Sequence, residues 1–295
     1  MKASRIQVAF QGELGAYSEL AAREFFQGDL DVAPQVTFDE IFENVEAGEY
    51  PYGIVPIEDS LAGSVHQNYD LLLEHNLWIV GEIKLRIVHH LIVNPGVGLG
   101  DIKKVVSHPQ ALFQCRDFLR GLEGVESVPV YDTAGAVRLI REEKATDAAA
   151  IASAQAAEDY GLEILESGIE SNHENFTRFL IVARERKREN PNPKTSIVFS
   201  TKNIPGALFK SLSVFALRDI DLLKIESRPL RGSPWKYLFY LDFEGDAEEE
   251  RCQRALSHLE EIATFLRVLG SYDKGKEVDG RIHKRLVESG DRPKT

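Results

Sequence analysis

Over the first 184 positions, short apolar runs alternate with segments whose apolar residues recur at helical spacing. Val8, Ala9 and Phe10 read as a strand, followed by a Gly-bearing turn at Gly12 to Gly15 and helix character through Leu20, Ala21 and Phe25. Thr37 to Glu40 has capping-box spacing and opens a helix through Val45, which Gly48 stops. Tyr52 to Pro56, Leu77 to Ile83, Val88 to Val93, Lys103 to Val106 and Ala148 to Ala152 read as further strands. Ser64 with Gln67, and Ser107 with Gln110, repeat the capping spacing, and Pro109 is tolerated in a first turn. Asp132 or Thr133 can cap a helix through Ile140, and Ser153 to Tyr160 forms a short helix ended by Gly161. Such alternation predicts an α/β domain with largely parallel sheets, long enough for two lobes with a cleft between them.

Residues 185–193 contain no apolar side chain and read as a linker. Beyond it the predicted order is strand (195–200), helix (205–217), strands (222–227 and 235–243), a helix carrying Cys252, Ala255, Leu256, Leu259 and Ile262 on one face, and a strand (266–269). That βαββαβ order is ferredoxin-like. Residues 276–295 alternate charges with few apolar positions and are expected to form a mobile tail.

At 295 residues two domains are expected. No apolar run reaches the ~20 residues of a membrane helix, and Met1 to Arg5 runs straight into a strand, so a cytoplasmic protein is expected. Cys115 and Cys252 read as reduced thiols. A net charge of −12 argues against nucleic acid as partner. It also requires any anionic ligand to be met by a local pocket of amides or cations. His89 and His90 are adjacent on a strand and face opposite ways with no further ligand at useful spacing, so no metal is expected. His108 reads as a helix-start histidine able to titrate near neutrality.

Seven segments carry a resemblance. They are Gly12-Glu13-Leu14-Gly15-Ala16-Tyr17-Ser18-Glu19, residues 55–65 (Val-Pro-Ile-Glu-Asp-Ser-Leu-Ala-Gly-Ser-Val), Ser107-His108-Pro109-Gln110, Asp132-Thr133-Ala134, Asn175-Phe176-Thr177-Arg178-Phe179, Gly206-Ala207-Leu208-Phe209 and Glu226-Ser227-Arg228-Pro229. Their identity and order resemble the prephenate dehydratases with a C-terminal ACT regulatory domain, of which arogenate dehydratases are close relatives. The resemblance implies a two-lobed, periplasmic-binding-protein-like α/β catalytic domain over residues 1–184 and a ferredoxin-like ACT domain over 194–275. It implies a carbon–oxygen lyase of phenylalanine biosynthesis that converts prephenate to phenylpyruvate, needs no cofactor and responds to L-phenylalanine.

Carried onto this chain, the resemblance places Thr177 at the centre of catalysis, with Glu58 and Asp59. A threonine hydroxyl is too weak an acid to act alone, so Thr177 is expected to be a positioned hydrogen-bond donor to the leaving hydroxyl. Arg178 offers a fork suited to a carboxylate, although strand alternation can turn it away from Thr177 into a structural ion pair. Ser18, Ser60, Ser64, Ser107, Gln110, Thr133, Asn175 and Phe179 complete the expected substrate set. Ser18, Ser64, Ser107 and Thr133 lie at helix starts, where free amides can hold carboxylates without net positive charge, or can simply cap their own helices.

Asp59 departs from the Asn usual in the family. It can act as a protonated acid, point away and leave Glu58 or loop amides as the contacts, or favour an ammonium-bearing substrate such as arogenate. Gly206, Ala207, Leu208, Glu226 and Ser227 are the expected phenylalanine-binding set, shared across a contact between subunits of a homodimer or homotetramer. A non-catalytic amino-acid sensor is the competing reading from another class.

Overall fold

A computed structural model describes residues 5–28, 30–186, 190–230, 232 and 235–280. Contacts divide the chain into two compact units. The first comprises Met1–Gly12, Ala21–Leu85 and Phe176–Val278; the second comprises Glu13–Leu20, Arg86–Asn175 and Asp279–Thr295.

The first unit holds two sheets. The larger runs in the order Lys276–Val278, Trp78–Arg86, Phe176–Ala183, Tyr52–Asp59, Ile6–Gln11, Leu30–Gln35, with Gly63–Ser64 paired to Tyr52–Asp59. Ile6–Gln11 is parallel to both its neighbours, but Phe176–Ala183 runs antiparallel to Tyr52–Asp59. The sheet is therefore mixed rather than largely parallel. Thr37 caps the helix Phe38–Ala47 through the Glu40 amide, and Gly48 ends it in the left-handed conformation that glycine adopts without a steric penalty.

The smaller sheet has the order Leu222–Pro229, Tyr237–Glu244, Pro193–Thr201, Ala263–Asp273, all antiparallel. With helices Ala207–Ala216 and Glu250–Ile262 it makes the expected βαββαβ module. Alternation along its strands sends Ile197, Phe199, Leu241 and Phe243 into a core beneath those helices. Val198, Leu238, Tyr240, Leu269 and Tyr272 go to the other face, into one core with Val55, Ile57, Leu72, Leu180 and Val182 of the larger sheet and its helices. The two sheets thus share a core, and the approach is close. A Cβ on Gly270 would lie 2.1 Å from the Ile79 carbonyl oxygen. Residues 276–278 of the expected tail are a strand, because Lys276–Val278 pairs with Ile83 to Leu85. Residues 187–189 of the expected linker and 281–295 of the tail lie outside the described residues.

The second unit is built on a five-stranded sheet in the order Glu163–Ser167, His90–Val93, Ala148–Ala152, Lys104–Ser107, Glu126–Pro129. The last three are mutually parallel. Ala148–Ala152 is wholly buried, as its unbroken apolar run predicts. Helices start just beyond the strand ends: Pro109–Gln114, Thr133–Glu142 and Ala154–Tyr160 are capped by the side chains of His108, Asp132 and Ser153. No helix of the described residues is long and apolar enough to cross a membrane.

Candidate active site

Strand pairing brings the two central motifs together in the first unit. Thr177 lies opposite Asp59, and Arg178 opposite Glu58, on antiparallel neighbours. The Thr177 hydroxyl donates to Asp59 Oδ2 at 2.9 Å, and both residues are buried. Asp59 Oδ1 accepts from the Leu61 and Ala62 amides at 3.1 and 2.9 Å, an Asx-type turn that holds the loop after the strand. Ser60 ties the same loop to the partner strand: its amide donates to the Phe176 carbonyl at 2.8 Å, and its Oγ accepts from the Phe176 amide at 2.9 Å. Asp59 therefore does not point away from Thr177. Its two oxygens gather three donors, and they draw the threonine proton towards themselves.

Arg178 and Glu58 occupy the opposite side of this strand pair, as period-2 alternation requires. Arg178 Nε is 2.5 Å from Glu82 Oε2, and its Nη2 is 2.7 Å from Asp242 Oδ2. Lys194 pairs with Glu82 as well, and its Nζ is 3.4 Å from Asp242 Oδ2. Ser196 Oγ donates to Asp242 Oδ1 at 2.5 Å and lies 2.6 Å from the Tyr272 hydroxyl. Two cations and two carboxylates balance in this buried cluster between the two sheets. Burial alone would raise the Asp242 carboxyl, but the Arg178 and Lys194 charges and the Ser196 hydrogen bond hold it down at about 2. Glu82 is lowered against its own burial by the same two cations. The Arg178 fork is thus engaged by carboxylates of the protein, away from the Thr177 side. Glu58 is likewise turned from Thr177, with its Oε2 2.7 Å from Lys224 Nζ. Phe179 is fully buried core, and Ser64 sits in a two-residue strand rather than capping a helix. The following helix starts at His66 with Val65 at its cap position and no side-chain cap bond.

In the second unit the expected helix starts are largely filled by the chain itself. Ser107 is not a cap: its hydroxyl donates to the Ile151 carbonyl at 2.6 Å, and His108 Nδ1 accepts the Gln110 amide instead. Burial lowers the His108 pKa below its ordinary value. Asp132, not Thr133, caps Thr133–Glu142, and its second oxygen accepts the Glu13 amide at 3.0 Å. Ser18 is buried in the first turn of Tyr17–Phe26, whose N-terminal end is closed by Glu19 accepting the Gly15 amide at 2.8 Å. Gln110 and Thr133 are half-buried. Asn175 is different. It is fully buried, and among the described residues neither its side-chain oxygen nor its nitrogen has a hydrogen-bond partner, although its backbone carbonyl accepts from Ile87. His90 is in the same condition at both ring nitrogens, and burial lowers its pKa. Its neighbour His89 contacts Tyr17 Oη and Gln114 Oε1, each at 2.8 Å.

In the small sheet's module, Gly206 takes φ +78° ahead of Ala207–Ala216, so the helix opens at Ala207 rather than 205. Ala207 and Leu208 line a hollow of about 150 Å³ with Ile204, Trp235, Tyr237 and Phe239. Glu226 and Ser227 are not among its described lining residues. Glu226 instead lies 3.9 Å from Lys224 and 3.7 Å from His66.

Sequence reasoning missed Glu82, Lys194, Asp242 and Lys224 as members of these constellations, and weighed His90 only as a metal ligand. A signal existed for two of them: Glu82 and Asp242 are acidic residues inside otherwise apolar strand segments.

A family model for prephenate dehydratase matches residues 8–187. Arogenate dehydratase/prephenate dehydratase 2, chloroplastic, of Arabidopsis thaliana is 52% identical over 280 residues, covering 91% of this chain and 73% of its own length. Arogenate dehydratase 2 of Petunia hybrida is 49% identical, covering 91% and 72%. Among solved structures, the Arthrobacter aurescens prephenate dehydratase in complex with L-Phe matches with a TM-score of 0.83 at 32% identity, covering 91% of this chain and 90% of that one. GqqA, described as a novel type of quorum quenching acylase, matches with a TM-score of 0.83 at 37% identity, covering 90% and 97%.

Proposed function

From its membership of the prephenate dehydratase family, to which this chain belongs as a carbon–oxygen lyase acting on prephenate or arogenate, we propose that it converts prephenate to phenylpyruvate. The ring C–O bond breaks with its electron pair on the departing hydroxyl, which takes up one proton drawn in net from solvent and leaves as water. The bond to the ring carboxylate breaks as carbon dioxide departs, and its pair completes the aromatic ring. Aromatisation drives the step, so orientation and one hydrogen-bonding group at the leaving oxygen suffice. The observation that carries this reading is Thr177 Oγ1, held at 2.9 Å by Asp59 on a strand pair fixed by Ser60 and the Leu61 and Ala62 amides, from where its hydroxyl proton can rotate off Asp59 onto the leaving oxygen. Asn175, whose buried amide is unpaired among the described residues, is the second substrate-binding group we propose, because a buried amide without a partner costs free energy until something bonds to it. Ser18, Gln110 and Thr133 belong to the same proposal.

A second reading, turnover of arogenate to phenylalanine, is favoured by Asp59. A carboxylate beside Thr177 attracts an ammonium-bearing substrate and repels a dicarboxylate. An amide at this position would keep its oxygen on the Leu61 and Ala62 amides and turn its –NH2 towards Thr177. The threonine proton would then face the leaving hydroxyl without first turning from a carboxylate. Thr177→Val is expected to lower kcat by about 100-fold or more in a chain that still folds, with a melting temperature a few degrees lower because Asp59 Oδ2 loses its donor. Asp59→Asn is expected to shift the kcat/KM ratio towards prephenate. Absence of product from both substrates would sink the dehydratase reading and leave an amino-acid sensor; an unchanged ratio discards the arogenate preference.

Phenylalanine is the proposed effector, taken at the hollow beside Ala207 and Leu208, with Glu226 and Ser227 supplied by a second copy of the chain. Supporting the homo-oligomer is the edge strand Leu222–Pro229, along which Leu223 and Ile225 are exposed.

A further inference from the structure

The strand pair that presents Asp59 and Thr177 has an opposite face, and that face is connected to the small sheet by ion pairs. Glu58 and Arg178 oppose each other one register step from Asp59 and Thr177, with Arg178 Nη1 3.8 Å from Glu58 Oε2. Glu58 Oε2 lies 2.7 Å from Lys224 Nζ. Lys224 and Glu226 are two positions apart on Leu222–Pro229 and share a face, with Nζ 3.9 Å from Glu226 Oε2. Lys224 is therefore one ammonium between two carboxylates. One sits beside Asp59 in sequence, and the other lies in the segment proposed to meet phenylalanine. The Lys224 side chain is only 14% exposed and lies 5.8 Å from the centre of the Tyr69 ring. Solvent thus screens its ion pairs less than it would at an open surface.

We propose that Lys224 is a positioning residue for Thr177. Its ion pair with Glu58 fixes the end of the strand pair that carries Asp59 and Thr177, and its contest with Glu226 makes that hold respond to whatever Glu226 binds. Lys224 rests on Glu58 at 2.7 Å with Glu226 the more distant partner at 3.9 Å, and a ligand ammonium that engages Glu226 changes the field in which Lys224 holds Glu58. The inference rests on the dehydratase reading above, and its response to phenylalanine rests on the effector reading there.

The test uses the full chain, with whichever of prephenate and arogenate the unsubstituted enzyme turns over. Lys224→Met keeps the stem over Tyr69 and removes the charge. It is expected to lower kcat about tenfold with KM within about twofold, since a small displacement of a reacting group acts on the chemical step. Lys224→Arg restores most of the loss. Glu58→Gln gives a similar loss, and the double variant is no worse than either single one. Phenylalanine still raises the melting temperature of Lys224→Met but no longer changes its turnover. A purely structural lysine would not produce that separation. Wild-type kcat in Lys224→Met, losses that multiply in the double variant, or a retained phenylalanine effect on turnover each overturn the proposal. An unsubstituted chain inactive on both substrates overturns the dehydratase reading, and this inference with it, before any variant is compared.

Discussion

Thr177 and Arg178 are one position apart and face opposite sides of a strand, and their partners Asp59 and Glu58 repeat the division. One side is a neutral hydroxyl bonded to a carboxylate; the other is a guanidinium in a balanced buried cluster. Asp242 measures how much that cluster matters. Its carboxyl is held at about 2 in the folded chain, against about 3.9 for an unperturbed Asp. A lowered carboxylate contributes stability that is fully present above the unfolded value and is lost as pH falls through the folded one. The urea midpoint of the wild type is therefore expected to drop between about pH 4 and about pH 2, with Glu82 acting in the same direction. Asp242→Asn leaves Arg178 and Lys194 with one buried carboxylate between them. It is expected to cost about 3–5 kcal/mol at neutral pH, and the gap to wild type narrows towards pH 2. Equal slopes in the two proteins over that range would show that Asp242 does not carry the effect.

Elements differed in how far the sequence disclosed them, and the reason is burial. Strands with both faces covered, such as Ala148–Ala152, and helices with capping residues, such as Phe38–Ala47, were legible from periodicity and cap spacing. The strands Leu30–Gln35, Glu126–Pro129 and Glu163–Ser167 were not predicted. All three lie at sheet edges, where polar and proline residues are tolerated and the apolar signal fades. Within the site, order along the chain disclosed the motifs, but which strand faces which came only from pairing. Hence Asp59 was found as a candidate, and its bond to Thr177 was not. The caps at His108 and Asp132 were both among the readings but left open, because Ser107 and Thr133 fit the same spacing. One turn is demanding enough to test. Gly15 has φ +87°, and a Cβ there would lie 2.5 Å from Ala156 Cα, with Ser153 Oγ donating to its carbonyl. Gly15→Ala meets backbone on one side and a disfavoured φ on the other, the latter alone worth about 1–2 kcal/mol. A melting temperature lowered by at least several degrees is expected; an unchanged one would mean that the turn can shift away from Ala156.

At the scale of the molecule, the sequence suggested a small module separated from the catalytic part by a polar linker, whereas the structure gives the small sheet and the first unit's larger sheet one core. Leu180 and Val182 pack in the same cluster as Val198 and Tyr240. Tyr240 donates to the Tyr69 carbonyl at 2.8 Å, Arg228 forms a two-oxygen pair with Asp70, and Arg267 donates to the Leu73 and His75 carbonyls. Removing the small sheet would expose that core and strand the Arg178 cluster. The cost is too large for the module to open alone, so the two sheets belong to one cooperative unit. Native-state hydrogen exchange reads this directly. The amides of Val55 and Ile181 in the larger sheet and of Ile197 and Leu241 in the small one, all in paired strands, are expected to exchange with the same opening free energy and the same denaturant dependence. A small sheet that opens at distinctly lower free energy would mean that the shared core does not couple them. It would also remove the rigid connection through which Lys224 and Arg178 reach the Thr177 strand.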